Sequence, residues 1–229
     1  MIAKRAGRPV VFIDKDGTLI EDLPYNVDPA RVRFAPGARE AVRLLGGAGL
    51  DLVIVTNQSG VARGYFDETD LAHLGEHLER EVEALGGRLA GFYACPHLPD
   101  GTVEAFALEC ACRKPAPGLI HQAAAEVGAD PARSWFIGDT WMDVAAGAAA
   151  GCRTILVGPE YRDRPGHPPG VVADAAVPDL LAAAYIILAA LDEDGTSGRS
   201  PVIHDVASSH GIVASHDIAA AELATELAR

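Results

Sequence analysis

Short apolar runs alternate with longer amphipathic stretches along most of this chain. Val10–Ile13 is wholly apolar and mostly β-branched, which predicts a first strand. Ala38–Leu45 has helical spacing, enters through Pro36 and meets Gly46-Gly47 at its end. Leu50–Thr56 predicts a second strand. Asp67 to Leu85 predicts a long helix, with Asp67 or Thr69 as its cap and Leu71, Leu74, Leu78, Val82 and Leu85 along one face. Gly91–Cys95 is a third strand, and a helix follows from about Pro117 to Val127. Ser134–Asp139 is a fourth strand, Met142–Ala150 an Ala-rich helix stopped by Gly151, and Thr154–Gly158 a fifth strand. Val171–Ala173 is expected as a sixth, before a helix at about Asp179–Ala190. Strands alternating with helices predict an α/β domain with a doubly wound parallel sheet.

The pattern breaks after Leu191. "DEDGTSGRSP" has the composition of a flexible linker, and Ser215–Arg229 is either a terminal amphipathic helix or disordered. The chain is therefore divided into a domain at 1–191 and a linker and tail at 192–229. A monomer is expected, with tail-mediated assembly as the alternative.

Composition narrows the function classes. Of the 229 residues, 49% are apolar, enough for a full core, and the net charge is −13 with no long basic tract. That balance argues against nucleic acid and against anionic membranes as partners. An anionic substrate would need a local attraction, from a metal or a few placed cations. The N-terminus has no signal-peptide pattern, and the longest apolar run, Leu180–Leu191, is too short to span a bilayer. A cytoplasmic location is expected, where four cysteines point to metal or free thiols rather than disulfides.

In open α/β sheets ligands sit beyond the carboxyl ends of strands. Asp14, Thr56, Cys95 and Asp139 all fall there. Asp14 and Asp16 end the first strand two residues apart, so strand geometry puts them on one face and points Lys15 the other way. Two carboxylates that close resist ionising together unless a hard cation such as Mg²⁺ joins them. One can then act as a nucleophile and the other as a proton carrier. "DKDG" alone is also an ordinary turn. The other motifs shift that balance: Thr56 ends a strand, Arg113-Lys114-Pro115 precedes a helix, and "GDTWMD" ends another strand with Asp139 and Asp143.

Asp-x-Asp-Gly-Thr, a strand-ending Thr, a Lys and Gly-Asp-x-x-x-Asp, in this order over about residues 10–158, resemble the haloacid dehalogenase-like phosphatase superfamily. The resemblance implies a Rossmann-like core and aspartyl-phosphate chemistry. It implies Asp14 as nucleophile, Asp16 as general acid/base, and Thr56 and Lys114 as holders of the phosphoryl oxygens. Asp14, Asp139 and the backbone carbonyl of Asp16 would bind Mg²⁺. Asp143 would position Lys114 or a metal-bound water.

A second metal set is visible in the residues themselves. Cys95-x-His97 and Cys110-x-Cys112 offer three sulfurs and one imidazole, a closed tetrahedral Zn²⁺ set of the structural kind. Cys112 adjoins Arg113 and Lys114, so fixing one fixes the others. Cys152 reads as a buried apolar residue, and His73 and His77 as a solvated helix face without a third ligand.

"VTNQSGVARGYF" (Val55–Phe66) and "GTVEAFALECACRKPAPG" (Gly101–Gly118) resemble the zinc-bearing branch of the superfamily, whose members act on heptose bisphosphate or on histidinol phosphate. Both segments look like those of the heptose enzymes, and the first argues against histidinol phosphate. The short interval before the second motif implies no large cap domain, so loops must shape the pocket. The resemblance places Asp22 and Tyr25 near the sugar of a small phosphorylated substrate, Asn57, Gln58 and Ser59 along the pocket, and Arg113 on a distal phosphate. Arg63 is a weaker candidate for the same task. Thr140 stands where the heptose enzymes often carry a basic residue, which keeps histidinol phosphate open. A phospholigand-binding module without catalysis is the reading from another class, and the intact acidic and basic motif residues argue against it.

Overall fold

The computed structural model describes residues 7–158, 170–193 and 213–214. Its centre is β1 (Val10–Ile13), whose residues are all buried because helices cover both faces. The other elements follow in chain order as α1 (Ala38–Gly47), β2 (Asp51–Asn57), α2 (Glu68–Ala84), β3 (Leu89–Cys95), α3 (Gly118–Val127), β4 (Trp135–Gly138), α4 (Trp141–Ala150), β5 (Arg153–Val157), β6 (Ala175–Val177), α5 (Leu180–Glu193) and β7 (Val213–Ala214). The sheet order is β3-β2-β1-β4-β5-β6-β7. All pairs from β3 to β6 are parallel, and β7 runs antiparallel to β6.

The alternation of side chains along β1 separates two apolar layers. Val11 and Ile13 pack towards α1, α2 and α5 through residues such as Ala41, Leu45, Leu74, Leu78 and Ile187. Val10 and Phe12 face α3 and α4 through Leu119, Ile120, Ala123 and Ala146. Gly147 lets α4 lie close, since a Cβ there would come within 2.7 Å of the Phe136 side chain. Asp67 caps α2 by accepting from the backbone N–H groups of Thr69 and Asp70, as its position predicts.

The doubly wound parallel sheet is as expected, with two changes. The sixth strand is Ala175–Val177, where Ile155, Leu156 and Val157 of β5 supply the partners, and not Val171–Ala173. Three residues of mixed Val and Ala carry too weak a period to fix register; the edge of β5 fixes it instead. The final helix of the domain runs on to Glu193, past the break expected after Leu191. Part of the expected linker and tail lies outside the described residues, as does the helix considered at Ser215–Arg229. Val213–Ala214 is a strand on the sheet edge. Among the described residues no helix is long and apolar enough to cross a membrane.

Candidate active site

β1 and β4 are adjacent parallel strands, so their carboxyl ends deliver Asp14 and Asp139 side by side. The Asp14 N–H donates to the Ile137 carbonyl at 2.9 Å, which holds the two strand ends in register. The first turn of α4 adds Asp143. Carboxylate oxygens of Asp14, Asp139 and Asp143 lie within 4.8 Å of one another. Gly17, at φ +79°, makes this possible: a Cβ there would sit 2.6 Å from Asp139 Oδ2.

Lys114 lies in the middle of this charge and is 3% exposed. Its Nζ meets Asp14 Oδ1 at 2.6 Å, Asp143 Oδ1 at 2.5 Å and the Val55 carbonyl at 2.9 Å, which uses all three ammonium protons. Burial works against that charge, but Asp14 and Asp143 together outweigh it and hold the ammonium above its usual range. Burial also pushes the Asp14 carboxyl up, against the pull of Lys114, and the charges of Asp143 and Asp139 add to the rise. Three carboxylates against one lysine leave an excess of negative charge among oxygen donors. That is the donor set a hard divalent cation such as Mg²⁺ prefers, and the residues fit it.

Asp143 is fixed from its other side. Its Oδ2 accepts from Thr140 N at 3.0 Å and from Thr140 Oγ1 at 2.6 Å. Thr140 thus serves as a local strut at the start of α4 and offers no charge to a ligand. Asn57 likewise spends its amide on the protein: it donates to the Lys114 carbonyl and accepts from the Lys114 N–H, each at 3.0 Å. Gln58, 5% exposed, donates to Asp16 Oδ2 and to Thr56 Oγ1, both at 2.9 Å.

Lys15 corrects an expectation. Strand alternation was expected to turn it away from Asp16, but β1 ends at Ile13 and the chain is already turning. The N–H groups of Leu19 and Ile20 both donate to the Lys15 carbonyl. Lys15 is 1% exposed, and its Nζ reaches Asp16 Oδ1 at 2.8 Å.

Two loops rise from this floor. One carries Asp22 and Tyr25, both exposed, between Ile20 and its bridge partner Phe34. The other runs from Gln58 to Phe66. They meet at Tyr25 and Tyr65, whose ring centroids are 4.8 Å apart in an edge-on arrangement. Tyr25 holds φ +55°, a left-handed conformation that a bulky residue adopts only under constraint.

The Cys/His cluster lies in the 95–112 loop beside this site. Sulfur–sulfur distances among Cys95, Cys110 and Cys112 are 3.6, 3.3 and 3.1 Å, too long for disulfides. His97 Nδ1 is 3.7 Å from Cys95 Sγ and 3.3 Å from Cys112 Sγ. A tetrahedral ion with ligands at about 2.3 Å needs its donor atoms roughly 3.7 Å apart, and these four match that cage slightly contracted. The cluster could hold a metal. Arg113 Nη1 donates to the His97 carbonyl at 3.1 Å, which ties the basic pair to the cluster directly.

The HAD-hydrolase-like family model matches residues 111–183. A D-glycero-beta-D-manno-heptose-1,7-bisphosphate 7-phosphatase from Yersinia pestis is 40% identical over 174 residues, 76% of this chain and 89% of that protein. The phosphatase of the same name from Escherichia coli K12 is 39% identical over 149 residues, 65% of this chain and 78% of its own. The chain belongs to this family of HAD-like phosphatases. The crystal structure of D,D-heptose 1,7-bisphosphate phosphatase from B. bronchiseptica, complexed with magnesium and phosphate, matches with TM-score 0.67 and 32% identity, covering 80% of this chain and 99% of that one.

Within this phosphatase fold, Lys114 joins Asp14 to Asp143 with Asp139 beside them, and Gln58 joins Asp16 to Thr56. Tyr25 is in ring contact with Tyr65, on the loop that follows Gln58. Arg113 is tied to the Cys/His loop. Sequence reasoning missed the buried state of Lys15 and the Tyr65 contact. The tie between Thr140 and Asp143 had a readable signal, because Thr-x-x-Asp at a helix start is a capping pattern.

Proposed function

We propose that this chain is a Mg²⁺-dependent phosphatase that removes the 7-phosphate of D-glycero-D-manno-heptose 1,7-bisphosphate through an aspartyl-phosphate on Asp14. The observation that carries the reading is the buried Asp14–Lys114–Asp143 contact at the carboxyl end of the sheet. The relatives named for this activity supply the substrate, and their names specify the beta anomer.

Lys114 occupies Asp14 Oδ1, so Oδ2 is the oxygen presented for attack on phosphorus. As that bond forms, the bond from phosphorus to the C7 oxygen breaks and its electrons stay on the sugar oxygen. Asp16 supplies the proton that oxygen needs. Asp16, now a carboxylate, takes a proton from water; the water oxygen attacks phosphorus, the bond to Asp14 breaks, and inorganic phosphate leaves. Thr56 Oγ1 accepts from Gln58, which leaves its own proton to donate to a phosphoryl oxygen. When Asp14 becomes an acyl phosphate its carboxylate charge is lost, and the Lys114 proton that faced it is available to the phosphoryl group. Mg²⁺ held by Asp14, Asp139 and the Asp16 carbonyl would neutralise charge on the transferring group, which is most of what catalysis of phosphoryl transfer requires.

Asp22, Tyr25, Ser59 and Arg113 are assigned to the sugar and its distal phosphate, with Arg113 as the bidentate candidate. Asn57 and Gln58 support Lys114 and Asp16 from behind. The metal of the Cys95, His97, Cys110 and Cys112 cluster is assigned as Zn²⁺ with a structural role, and such thiolates suit the reducing cytoplasm.

Thr140, in place of a basic residue, keeps open a second reading in which histidinol phosphate is the substrate, against which the Gln58–Phe66 segment argues. Phosphate release from both esters with Mg²⁺, with Asp14→Asn as control, decides between them. A kcat/KM preference for the heptose bisphosphate that vanishes in the control supports the first reading. Turnover of neither ester removes both.

A further inference from the structure

Lys15 is a buried cation that the chemistry above does not use. Burying an ammonium costs several kcal/mol unless a counter-charge and good geometry compensate. Here the compensating group is the carboxylate of Asp16, at 2.8 Å, and Asp16 itself is 28% exposed. The second oxygen of Asp16 is held by Gln58 at 2.9 Å, and the same Gln58 amide nitrogen is anchored on Thr56 at 2.9 Å. The two oxygens are therefore held separately, one by a charge and one by an amide.

The backbone carries a separate restraint. Gly17 N donates to the Ile20 carbonyl at 2.8 Å, while Leu19 N and Ile20 N converge on the Lys15 carbonyl. The turn that carries Asp16 is thus closed through Lys15 at the main chain and again at the side chain. A proton carrier works only from within hydrogen-bond reach of the reacting oxygen, so fixing the carboxylate plane is worth as much as supplying the carboxylate.

We propose that Lys15 is a positioning residue for proton transfer by Asp16, with Gln58 as the opposing half of the clamp. The inference rests on the acid role given to Asp16 above. It requires that losing the clamp harm the expulsion of a leaving group that needs a proton, and spare one that does not.

The test compares kcat/KM of Lys15→Met on two esters with saturating Mg²⁺. The heptose bisphosphate expels a sugar alkoxide, which needs the proton; p-nitrophenyl phosphate expels a stable p-nitrophenolate, which does not. Because kcat/KM reports events up to departure of the leaving group, the later hydrolysis of the aspartyl-phosphate does not mask the difference. The expected result is a loss of about 10- to 100-fold on the sugar ester, within the range general acid catalysis supplies, and less than about 3-fold on the aryl ester. Lys15→Arg should recover most of the sugar activity. Gln58→Ala also releases Thr56, so it should lose activity on both esters but several-fold more on the sugar ester, and that ratio carries the test if the methionine variant does not fold. Equal losses on both esters, or no loss on either, overturn the proposal. Asp16→Asn is measured beside them. If it too treats both esters alike, the acid role of Asp16 falls and the inference with it; if Asp16→Asn is selective and Lys15→Met is not, only the inference falls.

Discussion

Two clusters capable of binding metal stand beside each other in this molecule, and they are built in opposite ways. The acidic one draws Asp14 from the end of β1, Asp139 from the end of β4 and Asp143 from α4, so it exists only when the sheet has formed. The thiol one draws Cys95, His97, Cys110 and Cys112 from the end of β3 and the loop that follows it. The acidic cluster uses hard oxygens, carries excess charge and shares its carboxylates with a lysine. The thiol cluster has four soft donors that close around one point. The first is arranged for a ligand to enter, the second for none to enter. They are joined through Cys112-Arg113-Lys114, which makes the closed cluster the mount for the cation of the open one.

The sharpest way to break the comparison is at Asp14. Asp14→Asn keeps the volume and removes the attacking oxygen, so turnover should fall by at least about 10⁴-fold, as when a nucleophile is deleted elsewhere. Folding should be intact, and phosphate release with matched circular dichroism checks both statements. Retained turnover would mean that the acidic cluster is not the reacting one.

Lys114→Met should affect stability as well as activity. It leaves Asp14 and Asp143, 8% and 1% exposed, without their shared counter-charge. Breaking a buried pair in this way costs about 3–5 kcal/mol, and here two carboxylates share the loss. Added Mg²⁺ should recover part of the stability, because a cation can replace the lost charge, but should not restore turnover. Denaturant unfolding with and without Mg²⁺ measures the difference.

Legibility in the sequence follows the same division. The thiol pairs were readable because their spacing is local, and the structure brings all four together. The acidic cluster was readable only as separate strand ends; the crossover topology, not any spacing, makes neighbours of Asp14 and Asp139. The central strands were clear because both faces are covered and every residue is apolar. The sixth strand was misplaced because three small residues take their register from β5. Lys15 was misread because the rule of alternation was extended one residue beyond the strand it describes. Asn57 and Gln58 were expected along the pocket; their amides bind Lys114 and Asp16, a supporting tie that no pattern in one sequence shows.

Cys112→Ser tests the mount. Metal content should drop from one soft ion per chain to near none, Tm should fall, and activity should fall with it because Arg113 and Lys114 lose their fixed point. Mg²⁺ should not rescue it, in contrast to Lys114→Met. Cys152 is the internal control: burial pushes its thiol up to about 12, so it should stay unreactive in the native protein and Cys152→Ala should leave metal content unchanged. Thiol titration should find no reactive cysteine in the metal-bound state, three after chelation and all four after denaturation.

The smallest effect is expected at the mouth, outside both clusters. Tyr65 is 62% exposed and meets Tyr25 at a single aromatic contact. Such a pair contributes about 0.5–1.5 kcal/mol, towards the lower end when both rings face water. Its geometric consequence is larger than that energy. The loops of Tyr25 and Tyr65 are rooted together at Asp16 and Gln58 and meet again at the two rings, so the contact bears on how far the mouth opens. The left-handed backbone at Tyr25 adds strain that the contact helps to hold. Tyr65→Ala should leave Tm within about 2 °C and raise KM for the sugar bisphosphate a few-fold with kcat nearly constant, the sign of lost uniform binding. A fall in kcat with KM unchanged would place the tyrosine pair in the reacting machinery rather than at its entrance, and would move the boundary between the two regions outward.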